Sequence, residues 1–286
     1  MYYSPKNMRV FLNSFLLKYE IKNIKHLILG TILNMNTEQK YGLVNELVER
    51  YLNNLKFLKE LSEINALDEI QLFLSQTRYN KAIREGLLYY RKTNEIFVLE
   101  SFLDQIYYES LNKDIKNLDR KEREVLEPYI KYITEIYNLN MIYRGLINKI
   151  DKTLLSQFLI KSSQFLDLDN ITLLLEEVST ENFVSRLNYL YKNVEDLKGI
   201  FKEIDPKEKH ILFKLEKMFI ESYFRKFKLK IDDIDYMTIF SIVEVLIKKD
   251  KEIRFKIIPK VVKLIHKKFK ILNANLQKLE ESDGFF

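Results

Sequence analysis

Apolar side chains recur at helical spacing through the first thirty residues, at Met8, Phe11, Phe15, Leu16, Ile21, Ile24 and the pair Leu27-Ile28. Steps of three and four recur among them, a helical spacing that predicts a helix over 7–29. After a polar break at Asn34-Met35-Asn36 the pattern resumes over 39–61. Asn65 is placed to cap the next helix, with Asp68 and Glu69 in a first turn where carboxylates suit the helix dipole. Gln76 to Tyr79 reads as a bend, 80–91 as a further helix, and Asn94 as the opening of a helix over 95–112. Asp119 and Glu122 have capping-box spacing and start a long helix, in which Pro128 predicts a kink or a break between two helices. Asp151, Asp169 or Asn170, and Ser179 or Thr180 mark three later starts. Asp205-Pro206-Lys207-Glu208 gives the strongest start signal of all: a capping Asp, Pro at the first helical position, then Glu. No alternating run bounded by turn residues justifies a strand. The expected fold is all-α.

A long internal period overlies these helices. Tyr19-Glu20-Ile21-Lys22-Asn23-Ile24 returns as Thr134-Glu135-Ile136-Tyr137-Asn138-Leu139, and in a worn form as Lys251-Glu252-Ile253-Arg254-Phe255-Lys256. The Glu-Ile pairs stand 115 and 117 residues apart. A second element keeps the same step: Leu99-Glu100, followed by Tyr107-Tyr108, matches Leu215-Glu216, followed by Tyr223-Phe224, at an offset of 116. Each unit therefore reads as a Leu-Glu helix with an aromatic pair, a turn, then a Glu-Ile helix. The expected units are about 1–60, 61–165 and 166–286, the first incomplete because no Leu-Glu helix precedes Glu20.

The Glu-Ile copies lie on otherwise apolar helical faces. For Glu20, Asn23, Glu135, Asn138, Glu252 and Arg254 the reading is structural, the carboxylate pairing with a neighbouring helix and the amide holding a loop. Direct contact with a partner is the alternative. No second carboxylate or His recurs with the motif, so a general acid is not indicated. The aromatic pairs read as core, or as the lining of a recess.

Composition narrows the choices. The chain has 286 residues, 47% hydrophobic and 31% charged, with only six Gly and four Pro, which suits a folded helical protein. There is no Cys, which removes disulfides, thiol catalysis and Cys-based metal sites. His26, His210 and His266 are isolated, the Gly residues are scattered, and no cofactor is indicated. Met1 to Val10 lacks the apolar core of a signal peptide, and no apolar run is long enough to span a membrane. Asp232-Asp233-x-Asp235 has the residue types of a magnesium-holding acidic pair in all-α prenyl-transferring enzymes, but its spacing differs and a helix start explains it.

Net charge is +6, and residues 248–270 hold ten Lys or Arg against Asp250 and Glu252. Lys256, Lys260, Lys263, Lys267 and Lys270 form a polar stripe opposite Ile253, Ile257 and Val261, which predicts one amphipathic helix. That face is read as solvated, as facing anionic lipid or the rim of a membrane ring, or as binding nucleic acid.

Several stretches together resemble subunit d of the V-type ATPase, equivalent to the C subunit of the archaeal A-type enzyme: Phe11 to Thr31, Leu99 to Tyr108, Glu135 to Gly145, and Leu246 to Arg254. The resemblance implies a helical funnel of three pseudo-repeated units, here with the family's N-terminal half-unit missing, and Phe255 stands where the motif has Asn. It implies a non-catalytic subunit of a proton-pumping hetero-oligomer, peripheral to the cytoplasmic face of a vacuolar or other endomembrane. The implied partners are the proteolipid c-ring and the central-stalk subunits of D and F type, with no nucleic acid. Lys256, Lys260, Lys263 and Lys267 become candidate partner contacts. A soluble helical scaffold or nucleic-acid-binding module using the basic C-terminal helix is the alternative.

Overall fold

The computed structural model describes residues 6–226, Lys209 excepted, and among these residues it contains helices and no strand. α1 runs Lys6–Ile32, followed by the short helices α2 (Thr37–Gly42), α3 (Glu46–Leu52), α4 (Leu55–Glu63) and α5 (Leu67–Phe73). α6 (Asn80–Thr93), α7 (Ile96–Asp114) and α8 (Arg120–Ile147) form the long central group. α9 (Lys152–Phe158), α10 (Leu168–Leu175), α11 (Thr180–Lys192) and α12 (Ile211–Lys226) complete the described chain. The all-α expectation holds among the described residues.

α7 organises the first half by packing along both α6 and α1. Gly86 lets α6 come close: a Cβ there would stand 2.8 Å from the Leu99 Cα. Around these helices Phe11, Ile24, Leu27, Leu58, Ile83, Leu87 and Leu103 form one buried cluster. A second, around α8 to α12, contains Leu139, Ile142, Phe158, Phe183, Leu187, Leu215 and Phe219. Phe102, Tyr108, Tyr129 and Ile133 pack against both, so the two cores join along the α7–α8 seam.

Several boundaries differ from the sequence reading. The stretch 39–61 forms three short helices, divided by a left-handed Asn53 and the Leu43–Asn45 turn. Asn65 does not cap α5; its side-chain oxygen accepts from Lys40 Nζ at 3.0 Å, and the N-cap is Ala66. Asn94 closes α6 in the left-handed conformation (φ 61°) and does not open α7. α8 passes through Pro128 as a single 28-residue helix, so Pro128 divides nothing. α10 is capped by Asp167, two residues before the expected start. At 205–208 the chain closes a turn, Glu208 N–H on Asp205 O at 2.9 Å, and α12 begins only at Ile211. The Asp-Pro signal there served a turn, for which it is equally suited. The capping box Asp119/Glu122 and the caps Asp151 and Ser179 form as expected.

Candidate functional site

The first two Glu-Ile copies occupy matching positions on α1 and α8, and each ends its helix in the same way. At Gly30 and at Gly145 a Schellman closure forms: Met35 N–H reaches Gly30 O at 2.8 Å, and Ile150 N–H reaches Gly145 O at 2.9 Å. Asn34 and Lys149 take the left-handed conformation that this closure requires, both at φ 53°. Asn36 then caps α2 and Asp151 caps α9. The glycines admit the incoming helix, since a Cβ at Gly30 would meet Lys40 Cγ at 2.7 Å and one at Gly145 would strike Leu155.

The motif side chains hold loops that come later in the chain. Asn138 grips the backbone of Ile160 at both ends: its Nδ2 donates to Ile160 O at 2.8 Å, and Ile160 N–H donates to its Oδ1 at 2.9 Å. Asn23 does the same to Asn45, with Asn45 N–H on Oδ1 at 2.9 Å and Nδ2 on Asn45 O at 3.3 Å. In both cases the gripped residue lies 22 positions on. Glu135, fully buried, accepts from Tyr191 Oη on α11 at 2.6 Å and from the N–H groups of Gln164 and Phe165 at 2.6 and 2.7 Å. Burial raises the Glu135 carboxyl, and those donors oppose the rise. Glu20, half-buried, accepts from Tyr79 Oη at 2.6 Å. Each node thus ties a long helix to a later loop and to a distant tyrosine.

The two nodes are not identical. Lys40 stands where the second node has Leu155, and its buried ammonium donates to Ile64 O and Asn65 Oδ1. Burial lowers its pKa. Glu49, also fully buried, accepts from Asn23 Nδ2 at 2.9 Å. Neither residue was singled out by the sequence reading, nor were Tyr79, Tyr191 and Asn188, whose amide grips Ile204 N and O at 2.9 and 2.8 Å.

A cleft of about 410 Å³ opens between α1, α7, α8 and α12, lined among others by Lys18, Asp104, Tyr108, Tyr137, Phe213 and Glu216. Tyr108 stacks on Tyr137 with ring centroids 4.2 Å apart, and Asp104 pairs with Lys25 at 2.6 Å. Tyr107 and Tyr223 are core, Tyr108 half-buried against both clusters. The Leu-Glu helices thus contribute both core and cleft lining. Among the described residues no cluster of His, Cys, Asp and Glu is arranged to hold a metal ion, and no helix is long and apolar enough to cross a membrane. Glu252, Arg254, Lys256, Lys260, Lys263 and Lys267, with the Asp232–Asp235 cluster, lie outside the described residues.

Residues 1–255 match the family model described as ATP synthase (C/AC39) subunit. The A-type ATP synthase C subunit of Methanocaldococcus jannaschii is 32% identical over 155 residues, which are 54% of this chain and 38% of that protein. The C subunit of the Methanosarcina acetivorans A-type ATP synthase is 28% identical, covering 46% of this chain and 34% of its own length. That of Methanosphaera stadtmanae is 22% identical, covering 64% and 49%. The matches span about a third to a half of these relatives' length. No solved structure matches the chain.

Proposed function

The chain belongs to the ATP synthase (C/AC39) subunit family, and from that premise we propose that it is a non-catalytic central-rotor subunit of a proton-pumping rotary ATPase. In this role one end of a three-unit helical funnel receives the central-stalk subunits, of D and F type. The other end seats on the proteolipid ring at the cytoplasmic side of a vacuolar or other endomembrane. The family match over residues 1–255 carries the reading.

The physical requirement on such a subunit is stiffness between two interfaces, which packed helices supply. The Asn138–Ile160 and Glu135–Tyr191 contacts support it, because they fix a loop and a distant helix to the middle of α8. Glu20, Asn23, Glu135 and Asn138 are accordingly proposed as structural pins, with Glu252 and Arg254 their third-unit equivalents. The aromatic cleft faces a partner in the same proposal, and Lys256, Lys260, Lys263 and Lys267 face the ring or its anionic lipids.

Affinity capture at native abundance tests the role: stalk and ring subunits of a rotary ATPase are expected to co-purify. Their absence, together with nucleic-acid retention that falls steeply with salt, would replace it with the binding-module reading. Charge reversal at Lys260, Lys263 and Lys267 is expected to release the subunit from isolated membrane sectors. Unchanged co-purification removes those lysines from the interface.

A further inference from the structure

The first node holds a carboxyl that the second does not. The offset relating Asn45 to Ile160 sets Glu49 level with Gln164, whose N–H donates to Glu135. At the first node this segment is helix α3, whose Glu49 carboxyl meets α1 through Asn23, one turn from Glu20. Glu49 is fully buried. Its Oε1 takes the Asn23 amide at 2.9 Å, while its Oε2 is buried with no hydrogen-bond partner.

The neighbours offer no compensating cation. From α1 come the Glu20 charge and the neutral Asn23 amide. His26, also on α1, is engaged by Leu43 O at 3.2 Å. Ahead of α4, the Asn54 amide also hydrogen-bonds the Glu49 carboxyl and, with Asn23, opposes the rise, but it brings no positive charge. At the start of α6 the Tyr79 hydroxyl is committed to Glu20 at 2.6 Å, and Arg78 beside it acts on Tyr79. On α3 itself, exposed Arg50 pairs with Glu46 at 2.6 Å. Among the described residues no salt bridge reaches Glu49. An ionised Glu49 would carry an uncompensated burial cost and meet the Glu20 charge. A proton on Glu49 removes both penalties.

We propose that Glu49 holds a proton in its buried seat and that this proton secures α3 against α1. Burial, then the Glu20 charge, push the Glu49 carboxyl up to about 7. The sign of the pH dependence is set by that direction. Below the ordinary carboxylate range, folded and unfolded chains both hold the proton and Glu49 adds no pH dependence. As pH rises from about 4.5 toward 7 the unfolded chain releases its proton while the folded chain keeps it, so stability falls; above 7 the loss is complete. The full loss is about 300-fold in the folding equilibrium.

The test is urea unfolding of the full chain at pH 5 and pH 8. Glu49→Gln keeps the shape and a neutral donor, so it is expected to lose less stability than wild type between the two pH values, by about two orders of magnitude in the equilibrium. It should exceed wild type at pH 8 and differ little at pH 5. A wild-type slope in Glu49→Gln, or a loss at pH 8 as large as at pH 5, overturns the proposal. Selective ¹³C labelling of glutamate carboxyls in the wild-type chain gives a readout independent of the variant's folding. The Glu49 carboxyl, assigned by sequence, is expected to titrate near neutrality, and its titrating in the ordinary carboxylate range also overturns the proposal.

Discussion

Asn138→Ala is the sharpest perturbation of the repeated node. Truncation removes both hydrogen bonds to Ile160, at 2.8 and 2.9 Å, and leaves that residue's N–H and carbonyl without partners. Both residues are buried, Asn138 completely and Ile160 to 6% exposure, so water does not readily replace the amide. An orphaned buried polar group costs about 1–3 kcal/mol, so the pair predicts a loss of about 2–6 kcal/mol. That is a large fraction of a typical domain's stability, which is about 5–15 kcal/mol.

Asn23→Ala makes the informative comparison, because it deletes the same grip on Asn45. Asn45 is exposed, so water can solvate its backbone once the amide is gone. The expected cost is about 1–3 kcal/mol, most of it from the donor lost to buried Glu49. Asn138→Asp keeps the acceptor for Ile160 N–H but sets an oxygen against Ile160 O, beside buried Glu135. It is expected to cost at least as much as alanine at neutral pH. Urea denaturation followed by far-ultraviolet circular dichroism measures all three, provided the denaturant slope is unchanged. A cost for Asn138→Ala below about 1 kcal/mol, or equal costs at the two nodes, would refute the burial argument.

Further substitutions probe the same logic elsewhere. Gly86→Ala brings a Cβ to 2.8 Å from the Leu99 backbone, so thermal denaturation should show a loss of about 1–3 kcal/mol despite better helix propensity. Gly42→Ala meets nothing within 4 Å and should be neutral or stabilising by up to about 1 kcal/mol in the same assay. Tyr191→Phe removes one of the three donors to fully buried Glu135 and should cost about 1.5–3 kcal/mol in urea unfolding. Tyr79→Phe should cost less, since half-buried Glu20 can take a water in its place.

The helices were legible where apolar residues recurred at helical spacing over a long stretch, as on α1, and where a cap had one competent reading, as at Asp119 and Asp151. They were misread where one residue type serves two conformations. Asn94 has the side chain of an N-cap, but it also tolerates the left-handed backbone that closes α6. Asp205-Pro206 suits a helix start and a turn equally, and the apolar spacing at Ile211, Leu215, Met218 and Phe219 marks where α12 begins. In the nodes, the long period marks the carboxylate and amide but not the tyrosines. Tyr79 lies 59 residues after Glu20 and Tyr191 lies 56 after Glu135, so a search at constant spacing passes over them. Lys40 and Glu49 escape for the opposite reason: the repeat predicts their positions, but their counterparts are Leu155 and Gln164, with different chemistry.

Those departures bear on how the body would carry load in the proposed rotor. A node resists shear when its polar groups have no alternative partner, because slippage then leaves them buried and unpaired. Around α8 this condition is met: Glu135 has three donors, the Asn138 amide meets a buried backbone, and apolar Leu155 fills the space under Gly145. Around α1 it is relaxed, since Asn45 is open to solvent, Glu20 is half-exposed, and Lys40 and Glu49 add ionisable groups to the packing. The α8 node should therefore open only with global unfolding, while the α1 node opens at lower free energy and responds to pH through buried Glu49. Amide exchange distinguishes the two directly. Ile160, Gln164 and Phe165 are expected to exchange at the global rate, and the α3 amides faster, increasingly so above pH 7 after correction for intrinsic exchange. Equal, pH-independent protection at both nodes would mean that their different chemistry leaves their stiffness unchanged.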